Sequence, residues 1–551
     1  MVTRIKNGIK NGIKNGSKNG SKVAQQAATQ LAADVAARVQ KNVKRAVAGT
    51  LGISGERMTK VDTAWLRMDS DANLMMIVGV WQLAPGVKHA AVCERIENTL
   101  LKYNRFKQRV VQDAAGATWV NDRKFDLAHH VVLQTLAEPA KAAKRTNQQG
   151  ALQDLVAELA TQRLAPNRPL WQIHLIEDYT GPDGVRGSAM VVRIHHCIAD
   201  GIALISVTMS LVDGGAPPPG QRKKQAPGAA QDWLTDMLRD TLLKPFTELA
   251  VKALGAAGDG ASRSLGLLGL LNDPKNGAVK GINVSINASR DAARVMMQVV
   301  KDGAALALMP DDSKTRLKGK PGGAKKVAWC EPIPLDEVKA VGKALNCSIN
   351  DVLLSCAAGA LGEYLKSHGD NVTGQEIRAM VPVNLRPPNP PGVQAYELGN
   401  RFGLVPLVLP IGIDNPIERV YEVRRRMTEL KGSYQPLLAF GLLALAGLLI
   451  KPAQDMMLNL FAKKTTAVMT NVPGPREKLK FCGSTLEQSM FWVPQCGDVG
   501  LGVSILSYGG GVQFGVITDT ELCPDPQRII DEFMPEFAKL SVVTLMLPWG
   551  D

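Results

Sequence analysis

Two adjacent histidines, His195 and His196, are the residues of this sequence best suited to chemistry. They follow residues 188–194, a short apolar run rich in β-branched side chains that predicts a buried strand. Apolar residues at helical spacing begin at Ile202, so the histidines lie where a strand ends and a helix starts. A neutral imidazole at such a junction can accept a proton near physiological pH. We therefore predict that His196 is a general base.

Other interpretations of this stretch stay open. Asp200 and Gly201 also suit a helix start, because an aspartate side chain accepts hydrogen bonds from exposed helix N–H groups. The histidine pair could be structural or bind a metal, but the chain has only seven histidines, no His-Glu-x-x-His and no Cys-x-x-Cys. We expect no metal site. Cys197 is interpreted as a small packing residue rather than a nucleophile.

The stretch from His195 to Gly201 reads HHCIADG and resembles the HHxxxDG motif of CoA-dependent acyltransferases. That motif also occurs in chloramphenicol acetyltransferase-like enzymes and in peptide-synthetase condensation domains. Other segments resemble a narrower family, the bacterial wax ester synthase/diacylglycerol acyltransferase family. These segments are Pro169-Leu170-Trp171, Asn350-Asp351, Thr470-Asn471-Val472-Pro473-Gly474-Pro475, Asn104-Arg105-Phe106, Phe125-Asp126-Leu127 with His130, and Val381 to Arg386. The resemblance extends, in the expected order, from about Met58 to the C-terminus.

The resemblance implies an α/β fold of two chloramphenicol acetyltransferase-like domains with an active-site channel between them. It also implies an O-acyltransferase that moves a long-chain fatty acyl group from acyl-CoA to a long-chain alcohol or to diacylglycerol, giving wax ester or triacylglycerol. No cofactor is expected, since acyl-CoA is the substrate. The residues carried over are His196 as base, His195 as an orienting residue, Asp200 and Gly201 of the motif, Asn350 as oxyanion donor, and Pro169, Leu170, Trp171 and Asp351 as substrate-binding residues. Asp200 is expected to cap the helix or to bond an arginine, for which Arg386 is one possible partner.

Two other functions remain as alternatives. A condensation-type acyltransferase would use carrier-protein thioesters and amines, although the Pro-Leu-Trp and Asn-Asp segments argue against it. A non-catalytic lipid-surface protein could have kept the fold, but the HHCIADG motif is intact. For Asp351, a capping box with Ser348 is an alternative to a chemical role.

Length and composition predict a globular protein of two or three units, with 551 residues, 45% of them hydrophobic and 21% charged. We place a basic tail and helix at residues 1–57, an N-terminal acyltransferase domain at 58–215, a connector at 216–326 and a C-terminal acyltransferase domain at 327–551. The eight cysteines lack paired spacing, which favours reduced thiols in the cytoplasm.

The first 50 residues hold ten Lys or Arg and one acidic residue, so they carry +9 of the net charge of +14. Residues 1–22 repeat Lys-Asn-Gly and predict disorder, and residues 23–47 predict a helix with a basic face. Such a helix could lie on an anionic membrane, and a solubilising tail is the alternative. We expect peripheral association with the inner membrane or with lipid inclusions. Nucleic acid is not expected as a partner, because the tail has no aromatic residue for base stacking.

The most hydrophobic run, residues 436–450, is shorter than the roughly 20 residues needed to span a bilayer. We interpret it as a buried helix, and a membrane-touching or acyl-tunnel helix is the alternative. No transmembrane segment is expected.

Overall fold

The computed structural model describes residues 55–113, 116–136, 147–218, 301–303, 305–306, 308–386, 398–447, 449 and 451–546. The disorder predicted for residues 1–22, the helix predicted for 23–47 and most of the predicted connector lie outside these residues.

Two large β-sheets form the frame of the molecule. The first has six strands in the order β13-β14-β2-β7-β6-β5, and the second has seven, in the order β11-β10-β12-β15-β16-β8 with β9 also pairing with β16. The strands of the first sheet are β2 (Met76–Ala84), β5 (Val131–Leu133), β6 (Trp171–Thr180), β7 (Arg186–His195), β13 (Lys480–Phe481) and β14 (Ser484–Trp492). Those of the second are β8 (Lys325–Trp329), β9 (Ile333–Pro334), β10 (Ile377–Asn384), β11 (Phe402–Leu409), β12 (Ala467–Pro473), β15 (Leu501–Tyr508) and β16 (Gly511–Asp519). A third, small sheet pairs β1 (Glu56–Arg57), β4 (Gly116–Asn121) and β3 (Gln108–Asp113).

Helices cover these sheets. In the N-terminal half they are α1 (Lys60–Arg67), α2 (His89–Asn98), α3 (Leu127–His130), α4 (Gln149–Thr161) and α5 (Gly201–Leu211), with short 3-10 turns at Leu100–Lys102 and Asn104–Lys107. In the C-terminal half they are α6 (Leu335–Ala344), α7 (Ile349–Ser367), α8 (Pro416–Lys431), α9 (Gln435–Ala446), α10 (Lys451–Ala462) and α11 (Gln527–Leu545). Each large sheet has its own cluster of buried apolar side chains, so the molecule has two cores.

One strand crosses between the halves. β14 follows the second sheet's β12 in the chain, yet it pairs antiparallel with β2 of the first sheet, from Thr485 opposite Ala84 to Trp492 opposite Val78. The first sheet is therefore completed by residues 480–492, which lie within the predicted C-terminal domain. The two halves share backbone hydrogen bonds and do not merely touch.

The predicted fold class, a two-domain α/β protein, is confirmed. The apolar run at residues 402–409 predicts a strand, and β11 has these bounds. The sequence also predicts a helix beginning at Ser348, and Ser348 is the N-cap of α7. Residues 90–102 predict a single helix, but this is wrong in extent, because α2 ends at Asn98 and a 3-10 turn follows. The apolar run at 436–450 is likewise interrupted, since α9 ends at Ala446.

No single helix in the described part of the chain is both long and apolar enough to cross a membrane. The pair α6 and α7, bent by 98°, passes the same test of length and composition only when the two helices are taken together.

Candidate active site

The HHCIADG stretch connects β7 of the first sheet to α5. His195 is the last residue of β7 and is paired with Met76, and the backbone N–H of His196 donates to the carbonyl of Met75 at 2.7 Å. The N–H of Ile198 then donates back to the carbonyl of His195 at 3.0 Å, which closes a tight turn. The predicted strand-to-helix junction is present, and the two histidines are fixed at the end of a central strand.

The His196 side chain lies between aromatic rings at the junction of the two halves. Its ring stacks on Trp65 of α1, with centroids 4.3 Å apart and 16° between the planes, and Phe402 of β11 lies 5.5 Å away. The residue is 3% exposed. Burial lowers the pKa of His196 to about 4, although the nearby Asp200 carboxylate and Asn400 favour the protonated ring. The imidazole is therefore neutral at physiological pH.

His195 has a different environment. Its Nδ1 accepts a hydrogen bond from the N–H of Cys197 at 3.1 Å, and its Nε2 lies 3.5 Å from Oδ1 of Asp69. With Nδ1 acting as acceptor, the ring proton of the neutral form belongs on Nε2, facing the carboxylate. This geometry supports an orienting role for His195, which remains a prediction.

Asp200 both caps a helix and bonds an arginine. Its Oδ1 accepts from the N–H of Ala203 at 2.9 Å at the start of α5. Its Oδ2 accepts from Nη2 of Arg386 at 2.7 Å and from the N–H of Arg401 at 2.9 Å. The motif aspartate thus ties α5 of the N-terminal half to the chain around β10 and β11 of the C-terminal half.

Asn400 makes a second connection between the halves. Its Nδ2 donates to the backbone carbonyl of His196 at 2.7 Å and to Oδ1 of Asp62 at 2.8 Å, and its N–H donates to the same Asp62 oxygen at 3.2 Å. Asp62 belongs to α1, one turn before Trp65. The side chain of Asp62 is buried, and burial raises its pKa.

Asn350 and Asp351 lie at the start of α7. Oδ1 of Asn350 accepts from Nδ2 of Asn471 at 2.7 Å, so two segments singled out in the sequence meet. Asp351 completes a capping box with Ser348, as the capping alternative predicted. In the described part of the chain, no hydrogen bond joins Asn350 to either motif histidine.

The Pro-Leu-Trp segment supports the end of β7. The carbonyl of Leu170 accepts a hydrogen bond from the N–H of His195 at 3.0 Å. The carbonyl of Pro169 accepts one from the N–H of Trp171 at 2.9 Å. Nε1 of Trp171 donates to the carbonyl of Phe106, and this ring is 1% exposed. Of the three, Trp171 alone lines the cavity described next.

An apolar cavity of about 160 Å³ lies between α5 and the first sheet. It is lined by Gly201, Ile205 and Met209 of α5, by Ile194 of β7, and by side chains of β2, β6 and β14. A Cβ built on Gly201 would meet no atom within 4 Å, so the motif glycine leaves open space at the start of α5. The cavity thus begins beside the histidine turn.

Cys197 is fully buried, and burial raises the pKa of its thiol well above the usual value, which disfavours the reactive thiolate. Within the described ranges, no group of three or more His, Cys, Asp or Glu side chains is placed to hold a metal ion.

Two family models match the chain. The wax ester synthase/diacylglycerol acyltransferase catalytic domain matches residues 58–353, and the C-terminal domain of the same family matches residues 398–541. The chain belongs to this family. As a wax ester synthase/diacylglycerol acyltransferase family protein it is an acyltransferase, as the sequence motifs predict.

Curated relatives match nearly the whole chain. A putative diacylglycerol O-acyltransferase of Mycobacterium bovis is 25% identical over 88% of this chain and 96% of its own length. A second putative diacylglycerol O-acyltransferase from the same species is 28% identical over 80% of both chains.

Solved structures share the fold. The wax ester synthase/diacylglycerol acyltransferase from Marinobacter aquaeolei VT8 has a TM-score of 0.58 at 20% identity, covering 89% of this chain and 99% of that chain. The first condensation domain of the CDA synthetase has a TM-score of 0.51 at 14% identity, covering 88% and 96%.

Sequence reasoning missed three side chains of this family member's site. Trp65 and Asn400 contact His196, and Asp62 holds Asn400, but only Trp65 and Asp62 are near each other in sequence. A tryptophan and an aspartate three residues apart share one helix face, which is a usable signal for α1. Asn400 carries no local signal, since its partners lie 204 and 338 residues away.

Proposed function

We propose that the protein transfers a long-chain fatty acyl group from acyl-CoA to the hydroxyl of a long-chain alcohol or diacylglycerol, with His196 as general base. The observation that carries this proposal is the buried, neutral His196 at the junction of the two halves, in the turn between Ile194 and Gly201, both of which line the apolar cavity. The names of the curated relatives support diacylglycerol as one acceptor.

The packing of α5 supports a long-chain donor. Its buried residues include the larger Val207 and Leu211 as well as Ala203, Ser206 and Ser210, whereas Leu204, Ile205 and Met209 line the cavity and stay partly exposed. A fully packed core helix would bury these three large apolar side chains as well. Large apolar side chains around unfilled space favour an apolar occupant, and an acyl chain next to the histidine turn satisfies that requirement.

The chemistry proceeds by direct transfer. The acceptor hydroxyl oxygen attacks the thioester carbonyl carbon while His196 takes the hydroxyl proton. The tetrahedral intermediate then collapses, the carbon–sulfur bond breaks, and the imidazolium returns the proton to the CoA thiolate. No covalent enzyme intermediate is required, and we propose no cofactor beyond acyl-CoA.

Asn350 is the proposed oxyanion donor. Because Asn471 occupies its Oδ1, the Asn350 side-chain NH₂ group remains available to donate. One well-placed donor to the intermediate's oxygen contributes roughly 3–4 kcal/mol. Pro169, Leu170, Trp171 and Asp351 remain proposed substrate-binding residues, with Trp171 supported by its place in the cavity wall.

Association with an anionic membrane or lipid inclusion is proposed from the basic charge of the first 50 residues. Such a surface would supply water-insoluble acceptors directly. Binding to anionic vesicles that is lost when residues 1–50 are removed would support it, and equal binding by both chains would contradict it.

The decisive experiment measures CoA release from palmitoyl-CoA with hexadecanol or dioleoylglycerol. We expect acceptor-dependent release that falls by about a hundred- to ten-thousand-fold in His196→Ala, the range of general-base catalysis. His129→Ala, a half-buried histidine outside the motif, is the matched control. Undiminished release by a folded His196→Ala protein would overturn the base assignment. Turnover only with carrier-protein thioesters and amines would instead favour a condensation-type enzyme.

A further inference from the structure

Asn400 is the side chain that contacts His196 from the other half of the molecule. It is 6% exposed, and both hydrogens of its Nδ2 are used, one on the His196 carbonyl and one on Asp62. Because Asp62 also accepts the N–H of Asn400, the amide is held in one orientation, with Nδ2 toward the carboxylate. The orientation of the Asn400 side chain is thus determined by a buried carboxyl group.

The opposite side of the same amide lacks a partner. Oδ1 of Asn400 is buried without a hydrogen-bond partner among the described residues, and so is Nδ1 of His196. The unpaired acceptor belongs to Asn400 and the unpaired potential donor to His196. These two residues are already joined by the hydrogen bond from Asn400 to the His196 carbonyl. Leaving both unpaired costs free energy, which a bond between them would recover.

The reaction requires a particular tautomer of His196. A neutral imidazole accepts a proton on only one nitrogen, and the other carries hydrogen. If Nε2 accepts the substrate proton, Nδ1 must be protonated and needs an acceptor. Two acceptors lie near the ring, namely the His196 carbonyl, which Asn400 holds, and Oδ1 of Asn400 itself.

We propose that Asn400 is a positioning residue for His196: it fixes the backbone carbonyl of His196 and keeps the ring proton on Nδ1, leaving Nε2 as the proton acceptor. Asp62 holds Asn400 in the orientation that this requires. The inference rests on the proposed function, since it assumes that His196 is the base. The base would then be competent only when the C-terminal half is docked on the N-terminal half.

The test compares Asn400→Leu, Asn400→Asp and wild type by their pH profiles of kcat and kcat/KM for palmitoyl-CoA. We expect Asn400→Leu to lower kcat by at least about tenfold, because the wrong tautomer cannot act as base, while KM changes by less than about twofold. Asn400→Asp keeps an acceptor toward the ring, but its second oxygen lies where Nδ2 donates to Asp62 and to the His196 carbonyl, so it must hold a proton there and can donate to only one of them. Because the remaining acceptor keeps the ring proton on Nδ1, the kcat of Asn400→Asp should lie above that of Asn400→Leu at similar KM.

Thr466→Val is the matched control, since it also removes a buried hydrogen bond, to Oδ2 of Asp312 in the C-terminal half. It should leave both the pH profile and kcat unchanged. If the Asn400 variants fail to fold, Asp62→Leu decides: it removes the acceptor of both Asn400 hydrogen bonds at similar size, and the proposal requires a lower kcat at unchanged KM.

A folded Asn400→Leu variant, or a folded Asp62→Leu variant, that matches Thr466→Val in kcat would overturn the inference. His196→Ala, assayed in parallel, separates this failure from that of the proposed function. If His196→Ala is inactive, only the role of Asn400 is wrong. If His196→Ala stays active, the base assignment itself is wrong.

Discussion

Arg386 and Asp200 form an ion pair whose side chains are only 3% and 6% exposed. Removing one partner of such a pair leaves the other charge buried and unpaired, which costs about 3–5 kcal/mol. We therefore expect Arg386→Met to lower the free energy of unfolding by that amount in urea denaturation. The double variant Arg386→Met with Asp200→Asn should lose less than the sum of the two single changes, because it leaves no unpaired charge.

Arg425→Met is the control for this prediction, since it removes an arginine from an exposed ion pair. Arg425 pairs with Glu422 and Glu429 on the surface of α8, where its side chain is 55% exposed. Surface pairs of this kind contribute little, so its unfolding curve should overlay that of the wild type. If Arg386→Met and Arg425→Met lowered the free energy of unfolding equally, the prediction that the buried ion pair stabilises the fold would be wrong.

At the scale of an element, α5 should determine the acyl chain that fits. Ile205→Phe adds volume to a helix face that lines an unfilled cavity. We expect this change to shift the preference in CoA release from palmitoyl-CoA toward octanoyl-CoA. Overpacking a filled core costs about 1–3 kcal/mol, whereas filling this cavity should leave the melting temperature unchanged or higher.

Val185→Phe is the control, because it enlarges a side chain that is 48% exposed. Its chain-length profile should match that of the wild type. A profile for Ile205→Phe that also matches the wild type would mean that the acyl chain does not enter the cavity below α5.

For the whole molecule, three buried histidines predict a pH-dependent stability. Burial lowers the pKa of His130, His174 and His196 from 6.5 to about 4 in each case. Between these two values the unfolded chain binds more protons than the folded one. The free energy of unfolding should therefore fall as the pH falls from 6.5 toward 4, by up to about 1.4 kcal/mol per pH unit for each ring.

Urea denaturation at pH 7 and at pH 5 measures how the free energy of unfolding changes with pH. Both pH values lie above the range in which most carboxylates titrate. His174→Phe should make the slope shallower, because both ring nitrogens of His174 are buried without hydrogen-bond partners among the described residues. Equal stability at the two pH values would show that these rings are not held neutral by the fold.

The elements that the sequence predicts well are those with local signals. β7, the turn after His195 and the N-cap at Ser348 follow from β-branched runs, helical spacing and capping residues. The same signals place His196 at a strand end. They cannot show which residues surround it, because the ring's environment is made when α1 and the segment before β11 pack together.

The pairing of β14 with β2 is unpredictable for a related reason. Periodicity identifies a strand and its buried face, but not which of two sheets receives it. Asp200 with Arg386 is an intermediate case, since the sequence indicates that a motif aspartate could bond an arginine but gives no distance between residues 186 positions apart.

The crossing of β14 into the first sheet also has a consequence for synthesis. The neighbour of β2 on that side is translated only about 400 residues after β2 ends at Ala84. At roughly 5–20 residues per second, the hydrogen-bonding edge of β2 waits on the order of 20–80 s for its partner. During that interval the nascent N-terminal half has an open strand edge, which is the kind of surface that chaperones bind and that pairs wrongly with other chains.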